Sequence, residues 1–94
     1  MKKIKLSNGF ECEINEHVIH DIRFVRLVKR LQTDTTVIDD LVEFIFGKEQ
    51  AEKFYESITM EDGTIPTDRF EGCDFSVSDA LTEITDAFGA EGKN

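Results

Sequence analysis

Apolar and polar residues alternate at the start of the chain and predict a β-hairpin over residues 2–14. A three-residue loop at residues 7–9 pairs Leu6 with Phe10 and keeps the apolar side chains on one face, whereas a two-residue loop would mix the faces. We therefore expect the longer loop, with Gly9 at positive φ. Because an isolated hairpin is only marginally stable, its apolar face should lie on helices. The apolar positions are Ile4, Leu6, Phe10, Cys12 and Ile14.

After the hairpin, apolar residues recur three or four positions apart, the period of a helix with one buried face. This pattern predicts helices over residues 21–32, 36–46, 48–59 and 76–88. Val18 and Ile19 do not fit the first of these faces, so we assign them to a preceding turn or short helix packed under the hairpin. The four predicted core faces are Phe24, Val25, Leu27, Val28 and Leu31; Val37, Ile38, Leu41, Val42 and Ile45; Ala51, Phe54, Tyr55 and Ile58; and Val77, Ala80, Leu81, Ile84 and Phe88.

Capping residues and glycines set the predicted ends of these helices. Thr36 and Ser76 each begin a capping box in which an aspartate three positions later replaces the usual glutamate. Gly47 separates the second and third helices by a single residue, so the two must turn sharply and cannot form one rod. Gly89 should end the last helix and leave residues 89–94 as a mobile tail.

The predicted fold class is α+β, mostly α, with the N-terminal hairpin packed on a small bundle of about four helices. The chain has 94 residues, which suits a single compact domain over residues 1–88. The longest connection, residues 60–74, contains the only proline, Pro66, which forbids a helix through that point. We expect one helical turn there, at residues 67–71.

Composition indicates a folded protein without a membrane segment. Hydrophobic residues make up 39% of the chain and aromatic residues 10%, which argues against disorder. The start of the chain lacks the apolar run of a signal peptide, and no stretch approaches the roughly 18 apolar residues of a membrane span. We therefore expect a cytoplasmic protein, in which Cys12 and Cys73 are free buried thiols.

The net charge of −9 is unevenly distributed along the chain. Residues 1–32 hold seven Lys or Arg and four acids, a net +3, whereas residues 33–94 hold four and sixteen, a net −12. Two interpretations remain open: a solvated surface, or opposed potentials that favour head-to-tail self-association or a partner with a basic patch. Binding of nucleic acid through the whole domain is not expected, because the net charge opposes the approach of phosphates.

No residue pattern in the chain is typical of catalysis or of a cofactor site. Residues 58–70 resemble a calcium-binding loop, but of the four key ligand positions only Asp62 offers an oxygen suited to the metal. Adjacent acid pairs such as Asp39-Asp40 diverge on a helix, whereas acid–base catalysis needs convergent groups. We therefore predict a non-enzymatic protein without metal or cofactor. Residues that nominally suit zinc, but with unspecific spacing, are Cys12, His17, His20 and Asp21.

Five residues are candidates for binding a partner. Phe44 and Phe46 lie off the core face of their helix, so they are either covered by neighbouring elements or exposed as an apolar binding patch. Arg23, Arg26 and Arg30 form a basic stripe opposite the apolar face of the first helix. Neither set has the chemistry of an active site.

Several sequence segments, in order, resemble the tail assembly chaperones of long-tailed bacteriophages. The resemblance covers most of the chain, although residues 72–75 depart from the family's pattern. It implies a non-enzymatic role in the bacterial host cell, where such proteins keep the tape-measure protein soluble and help to recruit tail-tube subunits. The segments are NGFECEINEHV, HDIRFVRLV, EFIFGKEQAEKFYESI, EDGTIP and a closing helix.

A second interpretation belongs to another class of protein. The −12 charge of residues 33–94 suits an acidic inhibitor that mimics DNA and occupies a basic, nucleic-acid-binding protein. Such a protein would carry its acids in two rows spaced like phosphates. The +3 charge of residues 1–32 weakens this alternative.

Overall fold

The chain adopts an α+β fold in which helix predominates, as predicted. The computed structural model describes residues 1–91, and within them a two-stranded antiparallel hairpin precedes four α-helices. Single-turn 3₁₀ helices at Val18–His20 and Thr35–Val37 lead into the first and second α-helices. The elements are β1 (Lys2–Lys5), β2 (Glu11–Ile14), α1 (Ile22–Leu31), α2 (Ile38–Phe46), α3 (Lys48–Ile58) and α4 (Val77–Glu91).

The hairpin has the predicted register. Ile4 lies opposite Cys12, and the Leu6 N–H donates to the Phe10 carbonyl at 2.8 Å to close the three-residue loop. Gly9 has φ +95°, a backbone conformation that residues other than glycine rarely adopt. The expected loop and its glycine are therefore confirmed.

One aromatic cluster joins the hairpin to α2 and α3. The rings of Phe46 and Phe54 stack with centroids 5.0 Å apart, and Phe10 meets Phe46 edge-on at 6.1 Å and Phe54 at 5.6 Å. Phe46 is only 3% exposed, so it belongs to the core. Most residues of the predicted core faces of α2, α3 and α4 are buried in the same core, whose buried members include Ile14, Leu41, Val42, Ile45, Ala51, Ile58, Val77, Ala80, Ile84 and Phe88.

Gly47 is the joint between α2 and α3, as predicted. Its φ of 79° and ψ of 157° lie in a region that is essentially restricted to glycine, and differ from the left-handed helical values common after helices. Its N–H donates to the Glu43 carbonyl at 2.8 Å, and its carbonyl accepts from the Ala51 N–H at 2.9 Å. One residue therefore satisfies both helix ends and allows the sharp turn.

The capping prediction is right for α4 and wrong for α2. The Ser76 N–H donates to the Asp79 carboxylate at 3.0 Å and the Asp79 N–H donates to Ser76 Oγ at 3.3 Å, and these two bonds complete the predicted capping box. Before α2, however, the capping side chain is that of Asp34, which accepts from the Thr36 N–H at 3.0 Å. Thr36 therefore lies inside a 3₁₀ turn rather than at a helix cap, because the aspartate two residues earlier binds its N–H.

Two further expectations about the C-terminal half are wrong. Helix α4 continues through Gly89 to Glu91, so that glycine does not end it; residues 92–94 of the predicted tail lie outside the described residues. Residues 67–71 form no helical turn. Instead, the Thr67 carbonyl accepts from the Ser78 N–H at 3.0 Å, and the Pro66 carbonyl accepts from the Val77 N–H at 3.0 Å. These bonds tie the connection to the first turn of α4.

Gln50 connects the outer edge of the hairpin to the joint between α2 and α3. The Glu13 N–H donates to its Oε1 at 2.9 Å, while its Nε2 donates to the Glu13 carbonyl at 2.9 Å and to the Phe46 carbonyl at 2.7 Å. The side-chain amide therefore pairs with β2 as a neighbouring strand would.

Helix α1 lies at the side of the domain, against α2 and the two 3₁₀ turns. No residue of α1 is fully buried. Val25, predicted to face the core, is 49% exposed, and Ile22 is 60% exposed. The apolar face of α1 is therefore narrower than its sequence suggests, since only one side of the helix meets the rest of the domain.

Cys12 and Cys73 are buried and unpaired, as predicted. Burial raises the pKa of the Cys12 thiol to about 11. No helix within residues 1–91 is long and apolar enough to cross a membrane.

Candidate protein-binding groove

A shallow groove runs between α1 and α2 on the outer surface of the domain. Its volume is about 470 Å³. Its lining residues recur at helical spacing on both helices, so the same periodicity that builds the core also builds the groove. They are Arg23, Arg26, Leu27 and Arg30 from α1, and Asp40, Glu43 and Phe44 from α2.

Arg23 is held in place by its neighbours. Asp21 caps α1 by accepting from the Arg23 N–H at 2.8 Å, and its two carboxylate oxygens also accept from Arg23 Nε at 3.0 Å and Nη2 at 2.7 Å. These hydrogen bonds lower the pKa of Asp21 to about 2. The same guanidinium lies 4.9 Å from the centre of the Phe44 ring, a cation–π distance. Arg23 therefore forms a fixed cover over part of the groove floor.

Arg26 and Arg30 are different, because their guanidinium groups are exposed and make no ion pair with the side chains described for residues 1–89. Like Arg23, both lie on the α1 side of the groove. This side therefore presents two cations that are available to a partner.

The α2 side of the groove has the opposite charge. Asp40 and Glu43 are exposed there, one turn apart on the same helix face. Behind them the Tyr55 hydroxyl donates to Asp39 Oδ1 at 2.6 Å and ties α3 to α2. The groove is thus lined by basic side chains from α1 and acidic side chains from α2, and each helix also contributes one apolar side chain, Leu27 from α1 and Phe44 from α2.

Four of the five predicted partner-binding residues come together here, namely Arg23, Arg26, Arg30 and Phe44. Phe46 does not, because it is buried against Phe54 on the other side of α2. The two alternatives for these phenylalanines, coverage by neighbouring elements or exposure on a binding surface, therefore apply to different residues. Phe46 is covered by neighbours, whereas Phe44 is half-buried in the groove.

Sequence reasoning missed the acidic wall and the part played by Leu27. Leu27 was assigned to the core face of α1, yet it also lines the groove. Asp40 was considered only as a member of the divergent acid pair Asp39-Asp40, and Glu43 was not singled out. Asp40 lies three positions before Glu43 and four before Phe44, and this spacing was the available signal that the three share a face, since positions i, i+3 and i+4 do so on a helix.

The residues considered for metal binding are not assembled for it. Among residues 1–91, no group of three or more His, Cys, Asp and Glu side chains is arranged around a common point. The Asp21 carboxylate is occupied by Arg23, and burial opposes formation of the Cys12 thiolate that zinc would need. Asp62 accepts a hydrogen bond from the Thr64 N–H at 2.9 Å within its own turn.

No protein family, curated protein or solved structure matches the chain. The function must therefore be inferred from the groove and from the sequence segments. Grooves between packed helices that combine apolar and charged side chains are typical of surfaces that receive a helix from another protein.

Proposed function

We propose that the protein is a non-enzymatic tail assembly chaperone of a long-tailed bacteriophage. In this role it binds the tape-measure protein and assists assembly of the tail tube. The observation that carries the proposal is the groove between α1 and α2, which gathers Phe44 with Arg23, Arg26 and Arg30. The order of the sequence segments from NGFECEINEHV to EDGTIP supports the choice of family.

The groove and the net charge suit the two requirements of such a chaperone. A long helical client aggregates through its apolar stripe unless that stripe is covered. The groove offers apolar contact at Leu27 and Phe44, and charged side chains on both walls to orient the client. The net charge of −9 then favours solubility of the complex.

Co-expression with the tape-measure protein from the same genome tests this proposal. We expect the tape-measure protein to remain in the soluble fraction and to co-purify with the tagged chain. Substitution Phe44→Ala should lower the recovered amount, whereas Lys48→Ala, an exposed change on α3 away from the groove, should not. Failure of the wild-type chain to retain or solubilise the tape-measure protein would refute the chaperone role.

The alternative, an acidic module that binds a basic partner, is favoured by one observation. A second hollow, of about 760 Å³, gathers the carboxylates of Glu61, Asp62 and Asp74 near the hairpin turn. If this hollow were the functional surface, substitution of these three acids by the corresponding amides would abolish partner binding, and Phe44→Ala would leave it unchanged. The same pull-down therefore separates the two functions.

A further inference from the structure

The two walls of the α1–α2 groove carry opposite charge along a common length. Arg23 and Arg30 are seven positions apart, which corresponds to about 10 Å along the helix axis, or two turns. Asp40 and Glu43 line the same groove from α2, together with Leu27 and Phe44. A bound element must therefore be narrow, apolar on the side facing the floor, and charged on both flanks.

We propose that the groove binds a single amphipathic α-helix of the client, in one N-to-C direction. The apolar stripe of that helix covers Leu27 and Phe44. Its flank beside α1 carries carboxylates that pair with Arg26 and Arg30, and its flank beside α2 carries Lys or Arg. This inference rests on the proposed chaperone function and specifies the part of the client that the chaperone recognises.

The direction follows from the charges of the walls. If the client helix is turned end for end while its apolar stripe still faces the floor, its two flanks exchange places. Carboxylates would then face Asp40 and Glu43, and cations would face Arg26 and Arg30. Like charges at close range oppose binding on both sides, so the walls discriminate between the two directions.

The three arginines of the groove do not contribute equally to binding of the client helix. The Arg23 guanidinium is already bound by Asp21 and stacked on Phe44, so it acts as a positioning residue that shapes the floor. Arg26 and Arg30 have no ion pair with the side chains described for residues 1–89 to give up on binding. These two residues therefore supply the attraction for the acidic flank of the client.

Overlapping synthetic peptides of the tape-measure protein, each about 25 residues long so that it can form several helical turns, test the inference. Their binding to the full chain is measured by fluorescence anisotropy. The double variant Arg26→Glu/Arg30→Glu is compared with Lys29→Glu/Lys48→Glu, which changes the net charge equally at exposed positions outside the groove. Circular dichroism and thermal melting establish that both variants fold.

We expect wild-type protein to bind a peptide whose apolar stripe has acids on one flank and bases on the other. The groove variant should bind it at least tenfold more weakly, which corresponds to about 1.4 kcal/mol, and the control variant about as tightly as wild type. A peptide with exchanged flanks should bind wild type in the opposite direction, which a spin label at the peptide N-terminus reports by broadening the NMR signals of residues at the other end of the groove. The original peptide should likewise reverse its direction when both walls are exchanged by adding Asp40→Lys and Glu43→Lys to the groove variant.

Four results would overturn the inference. If the groove and control variants lose equal affinity, or if exchange of the peptide flanks leaves the bound direction unchanged, the charges of the walls do not select the client, although binding of the wild-type chain would still support a chaperone. If wild type self-associates through the groove and Arg26→Glu/Arg30→Glu abolishes this while peptide binding persists, the occupant is a second copy of the chain. If wild type binds neither any peptide nor the whole tape-measure protein, the chaperone function itself fails as well.

Discussion

Replacement of Phe46 by alanine is the sharpest test of how the aromatic residues near the α2–α3 joint are divided between core and surface. Phe46 is 3% exposed and stacks on Phe54, whereas Phe44, two positions earlier, is half-buried under the Arg23 guanidinium. The same chemical change at these two positions should therefore have very different costs.

The expected cost at Phe46 follows from its burial and its ring contacts. Burial of a phenylalanine side chain contributes about 2.5 kcal/mol, and each of its contacts with Phe54 and Phe10 adds roughly 0.5–1 kcal/mol. Phe46→Ala should therefore destabilise the fold by about 4 kcal/mol, which is within the usual range of about 3–5 kcal/mol for a buried phenylalanine. Phe44→Ala should cost about 1 kcal/mol, because the ring is only partly withdrawn from water.

Urea unfolding followed by far-ultraviolet circular dichroism measures both values, since the chain has no tryptophan to report by fluorescence. For a domain of this length, about 4 kcal/mol corresponds to a decrease in Tm of roughly 15–30 °C. Client binding gives the complementary result: Phe44→Ala should weaken it at temperatures where the variant is folded.

Equal losses of stability for the two variants would refute the assignment of Phe46 to the core and Phe44 to the groove. A Phe46→Ala variant whose free energy of unfolding lies within about 1 kcal/mol of that of wild type would refute it too, because a void of that size in a packed core lowers stability by more than this.

Three further predictions concern the backbone, a cap and a thiol. Gly47→Ala should destabilise the fold by about 1–3 kcal/mol, because alanine disfavours the backbone conformation of the joint. Gly89→Ala, inside α4, should instead stabilise the fold by about 0.5–1 kcal/mol. Urea titration that gave both changes the same sign would contradict these two expectations. Ser76→Ala should cost about 1 kcal/mol in the same assay through loss of the α4 cap, and no loss would mean that the cap is dispensable. Burial raises the pKa of Cys12 above its value in the unfolded chain, so the folded state binds the thiol proton more tightly. The resulting contribution to stability is lost as the pH rises from about 9 to about 11. Cys12→Ala should therefore flatten the alkaline part of the Tm–pH profile, and an unchanged slope would contradict the burial of a protonated Cys12 thiol.

The hairpin and the joint were predictable because local rules determine them. The requirement that Leu6 and Phe10 share a face selects one loop length, and that choice fixes the whole register. Gly47 was predictable for a similar reason, since two strong helical patterns separated by one residue need a conformation that other residues avoid. In both places the information lies within a few residues of the feature.

Phe46 and Val25 show what local periodicity lacks. Both were judged by the apolar face of an isolated helix, yet burial depends on where neighbouring elements lie. The turn at Gly47 folds α3 back beside α2, so Phe46 meets Phe54 although it is off the main stripe. Val25 fits the stripe of α1, but α1 lies at the side of the domain and leaves it exposed.

The groove was half predictable for the same reason. The basic stripe and Phe44 were visible as residues without a place in the core. Their assembly with Asp40 and Glu43 depends on α1 packing beside α2. The sequence of α1 alone does not indicate which helix packs beside it. The pairing of its basic side chains with the acidic side chains of α2 was therefore not predictable from local periodicity.

The Gln50 amide has a consequence for how the protein behaves at high concentration. An open strand edge offers unpaired N–H and carbonyl groups to other chains and is a common starting point for aggregation. At Glu13, both outward-facing backbone groups of β2 are already bonded by Gln50. Gln50 therefore blocks the addition of a foreign strand at this point, a protection that matters for a protein whose proposed client is itself prone to aggregate.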